Sequence, residues 1–121
     1  MTVSVTNQST PLGNKIVQDT SVVNVAVDNA TGASGTLYAV EITTSTASTV
    51  FFKLADSTDA TAGTTAADIV LRCPGNSTKS YIFPGGIPFT AGFSHWCVLS
   101  ADQSNTTTPG DNNVSVSYVT S

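Results

Sequence analysis

Residues 37–55 read LYAVEITT-STAS-TVFFKLA, and this stretch decides the fold. Leu37–Thr44 is rich in β-branched and aromatic residues, which suit a pleated, half-buried surface. Thr49–Ala55 alternates: Val50, Phe52 and Leu54 share one face, and Phe51 and Lys53 the other. Each run has the length of a strand and neither has a helical period. Ser45–Ser48 between them is short enough for a hairpin.

The same pattern extends outward in both directions. Upstream, Ser21–Asp28 (SVVNVAVD) reads as a strand with Val23, Val25 and Val27 on one face, followed by the Gly- and Asn-containing loop 29–35. Residues 1–20 are mixed, either a first strand or an extended arm. Downstream, the polar loop 56–66 leads to a strand at Asp68–Cys73, stopped by Pro74-Gly75. Another strand at Thr78–Phe83 is stopped by Pro84-Gly85-Gly86. Ile87–Thr90 is a short edge strand, because Pro88 cannot donate to a ladder. Ser94–Ser100 and Val114–Val119 complete the series, the last with Val114, Val116 and Tyr118 on one face. Eight or nine short strands with polar connections predict an all-β, antiparallel β-sandwich of jelly-roll type. Residues 21–121 form its single domain.

Composition agrees. Of 121 residues, 20 are Thr, 15 Ser and 14 Val, whereas Leu occurs five times and Glu once. A helical bundle needs Leu, Glu, Lys and Arg in quantity. Charged residues are 10% of the chain and the net charge is −4. Nucleic-acid binding is therefore not expected, since Lys15, Lys53, Arg72 and Lys79 are scattered rather than clustered. No apolar run reaches the ~20 residues of a membrane span, and the start of the chain lacks a secretory pattern.

Chemical equipment is sparse. His95 is the single histidine and shares a strand face with Cys97 at i, i+2. No neighbouring acid completes a nucleophile arrangement. Cys73 and Cys97 are either one disulfide or two buried thiols. Asp56, Asp59 and Asp68, and Asp102, Asp111, Asn112 and Asn113, fall in loops, where such residues satisfy their own backbone. They lack EF-hand spacing. Glu41 has no partner carboxylate for glycosidase chemistry. Trp96 or Tyr81 could hold a sugar, but no line of exposed aromatics is evident. No cofactor is expected and no enzyme activity is indicated.

The run TLYAVEITTSTASTVFFKLADS (36–57) followed by GTTAADIVLRCPGNSTKSYIFPGGIPFTAGFSHWCVLSAD (63–102) resembles small β-sandwich decoration (cement) proteins of tailed bacteriophages. The shared features are the Val-x-x-Lys-Leu strand, Gly-Thr, an apolar strand ending in Pro-Gly, Phe-Pro-x-Gly-Ile-x-Phe and a Gly-Phe-Ser turn. They span about residues 36–103. The resemblance implies a virion component on the outer capsid surface, made in the host cytoplasm. It also implies a homotrimer that bridges and stabilises major-capsid subunits. Pro84, Gly85 and Gly86 would form a tight turn, Gly92 would turn the chain before the His95 strand, and Ile87 and Phe89 would enter the core. The N-terminal arm would then supply Val3, Val5, Ile16 and Val17 as contacts with capsid or a neighbouring copy. The competing expectation is a head-fibre or tail-fibre module that recognises surface glycan.

Overall fold

The computed structural model describes residues 3–10 and 13–121. It is all-β, with eight strands: β1 (Val3–Thr10), β2 (Gly13–Asp19), β3 (Gly35–Thr44), β4 (Val50–Asp56), β5 (Ile69–Cys73), β6 (Thr78–Phe89), β7 (Phe93–Val98) and β8 (Val114–Thr120). They form two antiparallel sheets, one ordered β1-β2-β8-β3-β6 and the other β5-β4-β7.

Alternating apolar residues bind the sheets to each other. Val114, Val116 and Tyr118 of β8 point inward, as do Val50, Phe52 and Leu54 of β4, and all are buried. The large fully buried side chains each contribute roughly 1.5–3 kcal/mol by leaving water. β7 is buried at every position. Its inward residues reach the main core, while Trp96 and Val98 face outward into a second cluster with Ala55 and Ala60. Polar connections cover that outer side. Leu99 N–H donates to the Thr107 carbonyl, Asn24 Nδ2 to that of Thr106 and Gln103 Nε2 to that of Thr64. The smaller sheet is thus sandwiched between the larger sheet and a layer of loops.

Four features differ from the reading of the sequence. First, Ser21–Asp28 is not a strand. It follows the free edge of β7 irregularly, with paired backbone bonds between Val27 and His95 and one from Cys97 N–H to the Val23 carbonyl. Val22 is buried and Val25 is 62% exposed, so the Val23/Val25/Val27 alternation does not define the core face. Second, residues 45–48 do not close a hairpin. β3 and β4 lie in opposite sheets, and the linker crosses between them. Two apolar strand faces are buried just as well face to face as side by side. Backbone bonds from Ser45 N–H to the Asn113 carbonyl and from Asn76 N–H to the Thr46 carbonyl hold the crossing.

Third, Pro84-Gly85-Gly86 does not end its strand. β6 continues through it as a bulge: Ala39 pairs with Ile82, but Leu37 already pairs with Ile87. Gly85 and Gly86 take φ of 80° and 79°, which L side chains avoid. Ile87 packs against the core and Phe89 is buried in it. Fourth, the described residues of 1–20 form not one first strand or an arm but two strands of the larger sheet, β1 and β2, with β2 hydrogen-bonded to β8.

The crossing makes a specific prediction. A Cβ at Gly75 would lie 2.1 Å from the Ala47 carbonyl oxygen. Gly75→Ala should therefore destabilise the protein by about 1–3 kcal/mol, read as a lower urea midpoint with unchanged slope.

Candidate functional site

Strand phase places three polar side chains at one point between the sheets. On β2, Asp19 follows Val17 two residues on and so points inward with it. On β8, Tyr118 stands opposite Val17, on the same inner face. From the other sheet, β7 sends His95 inward between Phe93 and Cys97. The imidazole meets both partners: Nε2 lies 2.8 Å from Asp19 Oδ2 and Nδ1 2.9 Å from the Tyr118 hydroxyl. All three residues are 0% exposed. The Phe52 ring lies 5.5 Å from that of His95 and 6.1 Å from that of Tyr118.

The donors can be assigned. Burial, reinforced by the nearby Asp19 carboxylate, pushes the Tyr118 phenol well above its ordinary pKa, so it keeps its proton. Its hydroxyl donates to Nδ1, and Nε2–H donates to Asp19. The second Asp19 oxygen accepts the Ser21 N–H at 3.0 Å. The array resembles a catalytic relay, yet a group sealed from solvent meets no substrate. It is a hydrogen-bonded brace between the sheets. Sequence reasoning missed Asp19, because the acid that orients His95 lies 76 residues away along the chain. The available signal was the phase of Asp19 with Val17.

Lys53 and Trp96 are cross-strand neighbours on the outer face of the smaller sheet, and both are 1% exposed. Lys53 Nζ donates to the Asp102 carbonyl at 2.7 Å, which fastens the loop after β7. Burial lowers the Lys53 pKa, and the charge of Asp102 counters part of that. With Trp96 beneath the loops, its ring is not presented to solvent as a sugar platform.

The two cysteines are free and buried, and the disulfide alternative is corrected by register. Cys73 on β5 pairs with Val50, and Cys97 on β7 pairs with Phe52, so β4 runs between them. Two strand spacings are roughly 9–10 Å, beyond the ~7 Å limit for bridged Cα atoms. Burial, with a smaller contribution from Cys73, pushes the Cys97 thiol up to about 12, so it is a poor nucleophile.

The aspartates serve turns. Asp56 accepts the N–H groups of Thr90, Ala91 and Gly92 at 2.9, 2.8 and 3.4 Å, and the Thr90 hydroxyl at 3.3 Å. Gly92, with φ of 142°, thus turns the chain into β7 against Asp56. Burial acts to raise the Asp56 pKa, but these bonds outweigh it and hold the carboxyl below its usual range. Asp68 accepts the Asp56 N–H, and Asp28 that of Ala60. Among the described residues, no three His, Cys, Asp or Glu side chains are grouped to hold a metal ion.

The expected contact residues separate. Val17 is wholly buried in this molecule's own core and offers nothing to a partner, which corrects its assignment. Val3 packs against the core, Val5 is 46% exposed and Ile16 is half-buried. The larger sheet's outer face carries several shallow concavities. One, of about 280 Å³, is mixed in character and includes Ser4, Gln18, Glu41 and Ser117. Another, of about 290 Å³, is apolar and includes Tyr38, Ile82, Pro84 and Val119. No protein-family model, curated protein or solved structure matches the chain.

These bonds make testable predictions. Asp19→Ala, which leaves His95 buried without its acceptor, should cost about 3 kcal/mol in urea unfolding, and Tyr118→Phe about 1–2 kcal/mol. Nitrogen-15 NMR should find the imidazole proton on Nε2. For Asp56, a depressed folded pKa means stability that is present above the unfolded value and lost as pH falls through the folded one. Asp56→Asn should therefore be less stable than wild type at pH values above the ordinary aspartate range of about 4, with the gap closing as the pH falls below it.

Proposed function

We propose that this chain is a non-enzymatic structural protein of a tailed-phage virion. In this reading it decorates the outer capsid surface, bridges major-capsid subunits and stabilises the shell. The observation that carries this reading is the direction in which the reactive groups face. His95, Lys53, Cys73 and Cys97 are all buried, and His95 and Lys53 brace sheets and loops. What remains outside is a broad sheet face of short side chains. Ser115, Ser117, Thr43 and Ser80 surround the lone carboxylate of Glu41, beside exposed Ile82. Ser and Thr lose little rotamer freedom on contact, so such a face suits extensive flat packing better than selective capture of a small molecule. The phage-like pattern at residues 36–103 supplies the type of partner: β3 through β7 carry it.

The apolar concavity around Ile82 and Pro84 is the proposed capsid-facing surface. Purified protein added to capsids lacking it should bind at a fixed stoichiometry and raise the temperature at which the shells rupture. Ile82→Asp should lower occupancy about tenfold and leave the unfolding midpoint unchanged, because Ile82 is 76% exposed. Absence from purified virions, or binding to host glycan without binding to capsids, would overturn the proposal in favour of a fibre module.

A further inference from the structure

An open sheet edge is a template for pairing with another chain, and proteins ordinarily protect it with charge, proline, bulges, shortness or a covering segment. Three of the four edges here are protected. β7 is covered by residues 22–27. β5 is only five residues long and carries Arg72. β6 carries Lys79, Pro84 and Pro88 and is interrupted by its bulge.

The fourth edge, β1, differs. Val3–Thr10 reads VSVTNQST, without a charged residue or a proline, and its one register irregularity lies between Asn7 and Thr10, beyond Val3–Thr6. β1 stands at the end of its sheet with β2 as its one neighbour. Val3 and Val5 lie opposite Asp19 and Val17, so both belong to the inner face. Yet Val5 is 46% exposed, whereas Val17 beside it is 0% exposed. The core is therefore open along this margin.

The sequence at that margin is also its own complement. Thr2-Val3-Ser4-Val5-Thr6 reads identically in both directions. Antiparallel pairing about a two-fold axis at Ser4 sets Val3 against the partner's Val5, Val5 against the partner's Val3, and Ser4 against the partner's Ser4. Every valine then falls on the inner face and every serine on the outer, so the hydrophobic phase stays in register across the junction. No charge on β1 opposes the approach.

We propose that a second copy of this chain adds edge to edge at β1, joining the two larger sheets into one across a two-fold axis. The surface is isologous, unlike the three-fold arrangement implied by the phage resemblance. The proposal does not depend on the capsid reading. A heterologous contact, with β1 added to another edge of the neighbour, would meet the protected strands.

Sedimentation equilibrium of the full chain from about 1 µM to 1 mM should show a monomer–dimer equilibrium. Val5→Lys should raise its dissociation constant by at least about tenfold without changing the circular dichroism. Under mild oxidation, Ser4→Cys should cross-link into a covalent dimer, while Gln18→Cys, one strand further in on the same outer face, should not. The native thiols are buried and do not compete. A chain that stays monomeric throughout this range, or a trimer, would overturn the proposal. So would association unaffected by Val5→Lys, or Ser4→Cys cross-linking no faster than Gln18→Cys.

Discussion

The structure depends on one side chain that reaches across it. His95 enters from the smaller sheet and is held at both ring nitrogens by adjacent strands of the larger one. Hydrophobic contact alone lets two sheets slide, because apolar burial has little directional preference. An imidazole bonded on both sides sets their relative position. Low dielectric around the site strengthens these bonds and raises the cost of losing any one of them. Phe52 and the rest of the core then pack around a fixed point.

A second constraint is the unequal division of strands. Three strands cannot cover five, and the remaining area is closed by chain with little regular structure. Residues 22–34 extend past β7 and receive Lys15 Nζ at the Thr31 carbonyl. On the far side, Lys53 draws down the loop after β7. The Ser/Thr-rich connections that look like solvent-exposed linkers therefore act as a third layer. This explains how a chain with 10% charged residues still buries a lysine and a tryptophan outside its main core.

Strand phase is legible in β4 and β8. Val50, Phe52 and Leu54, and Val114, Val116 and Tyr118, alternate in sequence and point inward in the fold, since a period of two needs no partner to be read. Partnership was not legible. Lys53 alternates with the core face, but the opposite face is covered too, by loops distant in sequence, including the one at Asp102. Ser21–Asp28 has strand-forming residues without strand pairing, because the free edge of β7 and burial of Val22 determined its path. Pro84-Gly85-Gly86 signals a break in local geometry, while β3 alongside maintains the ladder through it. The His95 site is half visible in sequence: the single histidine stands out, but its acid and phenol come from the ends of other strands.

The positions of the four basic side chains have a further consequence. Lys15, Lys53, Arg72 and Lys79 all lie within strands, on β2, β4, β5 and β6. Lys53 is buried, and Lys15 is bonded to a backbone carbonyl. Proteases of the trypsin type require an extended, accessible segment around a basic residue, and exposed loops ordinarily provide it. Every long loop of this molecule lacks such a residue. Cleavage must therefore wait for a strand to leave its sheet, so digestion is governed by the unfolding equilibrium rather than by loop exposure.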